Sequence, residues 1–208
     1  MTPSANDLLA IARRYWGSDQ AYVFRQERTA EDLRYEALWE EKNSERPRWG
    51  ALLRELRKEL PDCKVWDYTP PLANPSFGAL VYPPYERIMS RPQFIWTVAG
   101  YLSILAPVYT VHCVRHQYLG KRCLDSKVFL GPISMELRGI AEVVAQRIEA
   151  NYGATALPLE VAQTPVPLYV NFMKPPETTL FHALFTSEPW NIPDAAGQPF
   201  SILTAKSL

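Results

Sequence analysis

The stretch VYTVHCVRHQ, residues 108–117, gathers two histidines, a cysteine and an arginine. Read as a helix it is a candidate metal or catalytic cluster; read as a strand it is not. Val108, Val111 and Val114, with Tyr109 and Thr110, are residue types that favour a pleated, half-buried strand. On a strand Thr110, His112, Val114 and His116 share one face, while Tyr109, Val111, Cys113 and Arg115 share the other. Cys113 is thereby separated from both histidines. His112 and His116 stand roughly 13 Å apart by strand rise, too far to share one ion with ligand bonds near 2 Å. Cys123 arrives from a neighbouring turn and still leaves the ligand set short. The stretch is therefore expected to be a strand with histidines on one face, and no metal is expected.

Working outward, FIWTVAGYLSILAPVYTV (94–111) carries no charge over 18 residues. It has the length of a marginal membrane span, but Gly100, Pro107 and its β-branched and aromatic content point to buried strands. Two long strands at 93–105 and 108–119 are expected, turning near Ala106–Pro107. CKVWDY (63–68) and FGALVY (77–82) read as further strands around the proline-rich TPPLANP, and PLYVNF (167–172) as another.

The first third is helical in pattern. Leu8, Ile11, Ala12, Tyr15 and Trp16 recur at helical spacing behind a cap at Ser4 or Asn6, and Gly17 ends the run. TAEDLRYEALWEEK (29–42) opens with Thr29 and Asp32 at capping-box spacing, and its apolar stripe is Tyr35, Leu38 and Trp39. Pro47 suits a first helical turn, followed by Trp49, Leu52, Leu53, Leu56 and Leu60 on one face and a stop at Pro61. A late helix within 131–153 buries Leu137, Ile140, Val144 and Ile148 and ends at Asn151 and Gly153; TTLFHALF (178–185) suggests a short one. These segments predict an α+β fold: an N-terminal helical block at about 4–60 packed on a mostly antiparallel sheet, with one further long helix at about 132–151. The chain is read as a single globular domain, 1–208, whose sheet-rich part with the long helix covers about 63–208.

Composition narrows the function classes. The 208 residues are 47% hydrophobic and 21% charged, ordinary for a globular protein able to bury a core without disulfides or metal. Basic and acidic residues balance at 22 each, so no global field draws the chain toward nucleic acid or an anionic membrane. Asp7, Arg13 and Arg14 interrupt the N-terminus where a signal peptide is apolar. With three cysteines and no Cys-x-x-Cys, reduced thiols in a cytoplasmic protein are the expectation. The Gly-x-Ser-x-Gly elbow, the phosphate-binding glycine loops and His-Glu-x-x-His are all missing, and no cofactor is expected. Paired acids such as Glu31/Asp32 and Glu40/Glu41 fall on solvated helix faces.

Charge patterning is more informative. Between Glu27 and Glu45 there are seven acids against three bases, and from Arg46 to Lys64 six bases against three acids. From Arg87 through Arg122 there is no acid, while Arg87, Arg91, Arg115, Lys121 and Arg122 are basic. Mutual neutralisation across the fold is one reading of these excesses; a surface for an acidic protein partner is the other. The expected function is a non-catalytic protein-binding domain, in type a cytosolic inhibitor or immunity protein that neutralises its partner by covering it. Those five basic residues are its candidate contacts, with nucleic acid and membrane unlikely partners by composition. Two alternatives stand beside it: an enzyme with a dispersed acid–base site on His112, His116 and His182, and a structural subunit that uses its tryptophans and tyrosines as an interface.

Overall fold

A computed structural model of the chain describes residues 3–18, 28–86, 89–171 and 173–187. The long hairpin organises it. β3 (Pro92–Ser103) and β4 (Val108–Leu119) pair antiparallel from Pro92↔Leu119 to Leu102↔Tyr109, and the turn between them contains Ala106 and Pro107. β1 (Lys64–Asp67), β2 (Ser76–Tyr82) and β5 (Arg122–Phe129) complete an antiparallel meander in the order β1-β2-β3-β4-β5. A two-residue strand, β6 (Thr155–Ala156), pairs parallel to the start of β4, on the side away from β3. Residues 94–103 and 108–111 thus lie in central strands, and the turn between them takes up 104–107. Among the described residues no helix is long and apolar enough to cross a membrane.

One face of the sheet carries the helical layer. α2 (Ala30–Lys42) and α3 (Arg46–Glu59) are joined by a 3₁₀ turn at Asn43–Glu45, and α4 (Met135–Tyr152) follows β5. Trp39 meets Phe77 of β2 edge-on at 5.8 Å, and Trp49 stacks on it at 5.6 Å. α4 crosses β3 at Gly100, where a Cβ would stand 2.4 Å from Val144 Cγ1, so only glycine lets the helix approach this closely. Arg147 of α4 reaches Glu55 and Glu59 of α3, tying the two helices together. Local sequence sets the helix ends. Ser4 with Asp7 caps α1 (Ala5–Ala12), and Thr29 with Asp32 caps α2, each as a reciprocal box. Thr29→Ala should lower stability by about 1 kcal/mol in a denaturant titration. Gly153, at φ 62°, terminates α4 in the left-handed conformation.

The opposite face is covered by the C-terminal part of the chain, through α5 (Leu159–Ala162) and α6 (Leu180–Leu184). Phe181 lies against His112, and Ser76 Oγ donates to Phe185 O at 2.7 Å. α1 joins this layer, since Trp16 Nε1 donates to Ala183 O at 2.9 Å.

Two expectations need correction. Residues 167–171 form no strand: Val166, Leu168 and Val170 are buried alternately, but the segment makes only isolated bridges, Pro165↔Thr179 and Val170↔Met173. Pro165 and Pro167 supply no backbone donor, and Asn171 turns the chain at φ 50°, so the segment builds no ladder. Phe172 lies outside the described residues. In the other direction, β5 is a full edge strand that the polar sequence RCLDSKVF did not announce. The first helix is also shorter than its periodicity suggests, ending at Ala12 with Tyr15 and Trp16 in the turns that follow.

Candidate functional site

The strand reading of residues 108–117 holds, and with it the facing of the side chains. His112 is sandwiched between Tyr101, stacked at 5.4 Å, and the edge-on ring of Phe181 at 5.2 Å. Neither of its ring nitrogens has a hydrogen-bond partner among the described residues, and burial pushes its pKa down to about 3. Cys113 is buried on the other face, where desolvation raises its thiol to about 12 and leaves it protonated and unreactive. His182 serves the backbone: its Nδ1 accepts from Thr179 N–H at 3.0 Å and closes the cap of α6, and burial lowers it to about 4.

His116 comes nearest to a catalytic arrangement. Its Nδ1 lies 2.8 Å from Ser126 Oγ and its Nε2 lies 3.1 Å from Thr97 Oγ1. Thr97 Oγ1 donates to Val114 O at 3.2 Å, so it accepts the proton of Nε2–H and leaves Nδ1 to accept from Ser126. This is the connectivity of a serine with its base, but burial lowers His116 to about 4, a weak proton acceptor at neutral pH. A threonine stands where a carboxylate orienter works in hydrolytic triads. A groove of about 290 Å³ between α4 and β4 is lined by Val111, Leu130, Ile133, Leu157 and, at its rim, Arg138 and Glu142. A second, of about 340 Å³, lies between the α2–α3 junction and the β3–β4 turn. No histidine lines either. Among the described residues no group of histidine, cysteine and carboxylate side chains is placed to hold a metal ion.

The basic residues are distributed unequally. Arg87 lies outside the described residues. Arg115 is half-buried on the helical face of β4, its guanidinium 4.7 Å from the Phe94 ring centre, 5.5 Å from Phe129 and 5.8 Å from Trp96. These rings engage its charge, on the helical face of the sheet. Arg91, Lys121 and Arg122 are exposed at one end of the sheet. β4 and β5 are joined there by the two-residue loop Gly120–Lys121, with φ 56° at Gly120, and Pro92↔Leu119 brings the start of β3 alongside. None of the three takes part in an ion pair among the described residues.

The same end carries exposed apolar side chains. Met89 is 58% exposed, Leu119 44% and Leu124 46%, and Met89 lies beside Gly120. Sequence reasoning missed these three, because isolated apolar residues in a loop, at a strand end and in an unassigned strand have no periodic signature. The signal available was the pair of cations in LGKR (119–122), a hairpin turn once its flanks are read as strands. Comparison of the chain with protein-family models, curated proteins and solved structures found no match.

Proposed function

We propose that the protein is a cytosolic, non-catalytic binding module, of the inhibitor or immunity type, that meets an acidic protein surface with the β4–β5 hairpin end. The observation that carries this is the grouping of Arg91, Lys121 and Arg122, in no ion pair among the described residues, around exposed Met89, Leu119 and Leu124. Cations steer an acidic partner into encounter, and apolar side chains at the centre of a patch supply the affinity once water is excluded. The structural-subunit reading has less behind it. Trp16, Trp39, Trp49 and Trp96 are all buried, so of the described tryptophans only Trp66 is available to an interface.

The test is to capture the partner with tagged protein from host cells, identify it by mass spectrometry, and measure its association after purification. Arg91→Glu/Lys121→Glu/Arg122→Glu should keep its stability within about 0.5 kcal/mol, because these charges are solvated. Association should slow by about tenfold or more, with a shallower dependence on salt. Ser126→Ala, which removes the serine hydroxyl held on His116 Nδ1, should leave binding and biological effect unchanged. If Ser126→Ala abolishes the effect in folded protein while the charge reversals are silent, the enzyme reading replaces this one.

A further inference from the structure

β5 is the terminal strand of the sheet, and its outer edge faces no other strand among the described residues. The direction of its backbone groups follows from its neighbours. Leu157 N–H donates to Tyr109 O at 2.8 Å, so the odd residues of β4 turn their backbone groups away from β3. Arg115 and Gln117 therefore exchange ladder hydrogen bonds with Lys127 and Asp125. Ser126 and Val128, lying between and beyond, turn their N–H and C=O groups outward. An edge of this kind is a template for another strand unless charge or irregularity blocks it.

Two features of the sequence decide what fits there. Lys127 stands directly opposite Arg115, a like-charge pair across the ladder, and neither takes part in an ion pair among the described residues. The segment Asp125–Lys127 is also complementary to itself in the antiparallel sense. A twofold axis at Ser126 sets Asp125 opposite Lys127 of a second copy, twice over. The same axis makes Ser126↔Ser126 a hydrogen-bonded pair, which matches the outward direction of its backbone groups. The bulge in the β4–β5 ladder, at Gln117/Tyr118, falls on Leu124 and leaves Asp125, Ser126 and Lys127 in regular register for this pairing.

We propose that the protein forms a twofold-symmetric dimer in which the β5 strands of two copies pair antiparallel about Ser126, joining the two sheets into one. Lys127 gains a carboxylate on the side away from Arg115, the cation opposite it in its own sheet. The closed symmetry leaves no further β5 edge to pair, so association stops at two. The dimer also carries two hairpin ends, but its formation does not depend on what those ends bind.

Sedimentation velocity over a concentration series tests this. Wild-type protein should show a reversible monomer–dimer equilibrium. Asp125→Lys and Lys127→Asp, each at an exposed position, should each weaken the dimer by about tenfold or more by facing like charges across the axis twice. Asp125→Lys/Lys127→Asp together should restore it to within about threefold of wild type. The variant Arg91→Glu/Lys121→Glu/Arg122→Glu should dimerise as wild type does, which separates this proposal from the partner surface. Melting curves of the variants verify that each is folded. A protein that stays monomeric throughout overturns the proposal. So does a dimer indifferent to both single changes, or one that the double change fails to rescue.

Discussion

Acidification is expected to unfold the protein between about pH 5 and pH 4, earlier than its carboxylates alone require. Three histidines are responsible. Burial holds His112 at about 3 and His116 and His182 at about 4 in the folded chain, whereas a histidine in the unfolded chain titrates near about 6.5. The unfolded state therefore binds protons first. The stability that depends on neutral histidine is whole above the unfolded value and is lost as pH falls toward the folded values. Each group removes about 1.4 kcal/mol per pH unit in that window, so three remove about 4 kcal/mol per unit, and by pH 5 about 6 kcal/mol. That approaches the whole stability of a typical domain, about 5–15 kcal/mol. For His182 the loss has a visible structural cause, because protonating Nδ1 ends its acceptance from Thr179 N–H and opens the cap of α6. Tryptophan fluorescence and far-ultraviolet circular dichroism followed together against pH measure the transition. His112→Leu removes one of the three groups without breaking a hydrogen bond, and should move the midpoint acidward by about half a unit or more. A chain that remains folded at pH 3, or a His112→Leu midpoint identical to wild type, refutes this account.

The same histidines show what a sequence conveys and what it withholds. Alternation within residues 108–117 suffices to place His112 and His116 on one face and Cys113 on the other, because a strand has a fixed period of two. The helices were legible for an equally local reason: Thr29 with Asp32, Pro47 and Gly153 act on the backbone within a turn of themselves. What the histidines touch is set by distant segments. Phe181 over His112 and Ser126 on His116 come from residues 69 and 10 positions away, and no local pattern encodes those contacts. β5 stayed hidden because an edge strand has little apolar demand; only Val128 of its eight residues is fully buried. Residues 166–170 have the alternation of a strand without a partner strand, since an irregular segment that buries every second side chain has the same period. The acid-free run from Arg87 to Arg122 located the basic end of the sheet. It did not separate exposed Lys121 and Arg122 from Arg115, whose aromatic neighbours arrive from β3 and β5.

Removing the Trp49 side chain should cost about 3–5 kcal/mol, and Leu56→Ala about 2–5 kcal/mol. Both side chains are fully buried on the face of α3 that meets the sheet and α4. Trp49 sits at the centre of an aromatic group: it stacks on Phe77 at 5.6 Å and lies 6.2 Å from Tyr152 of α4, while Trp39 meets Phe77 from α2. Three helices and β2 therefore share one contact region. A cavity left there cannot be filled by one side chain swinging inward, because each neighbour is itself held by its own element. Aromatic pairs add about 0.5–1.5 kcal/mol each beyond the area they bury, which places Trp49→Ala toward the upper end of its range. Trp66→Ala is the control, since that ring is 62% exposed on β1 and should cost no more than about 0.5 kcal/mol. Urea titrations of the three variants at neutral pH, with unchanged slopes, give the comparison directly. Losses below about 1 kcal/mol for both Trp49→Ala and Leu56→Ala mean that α3 is not seated on the sheet by this face.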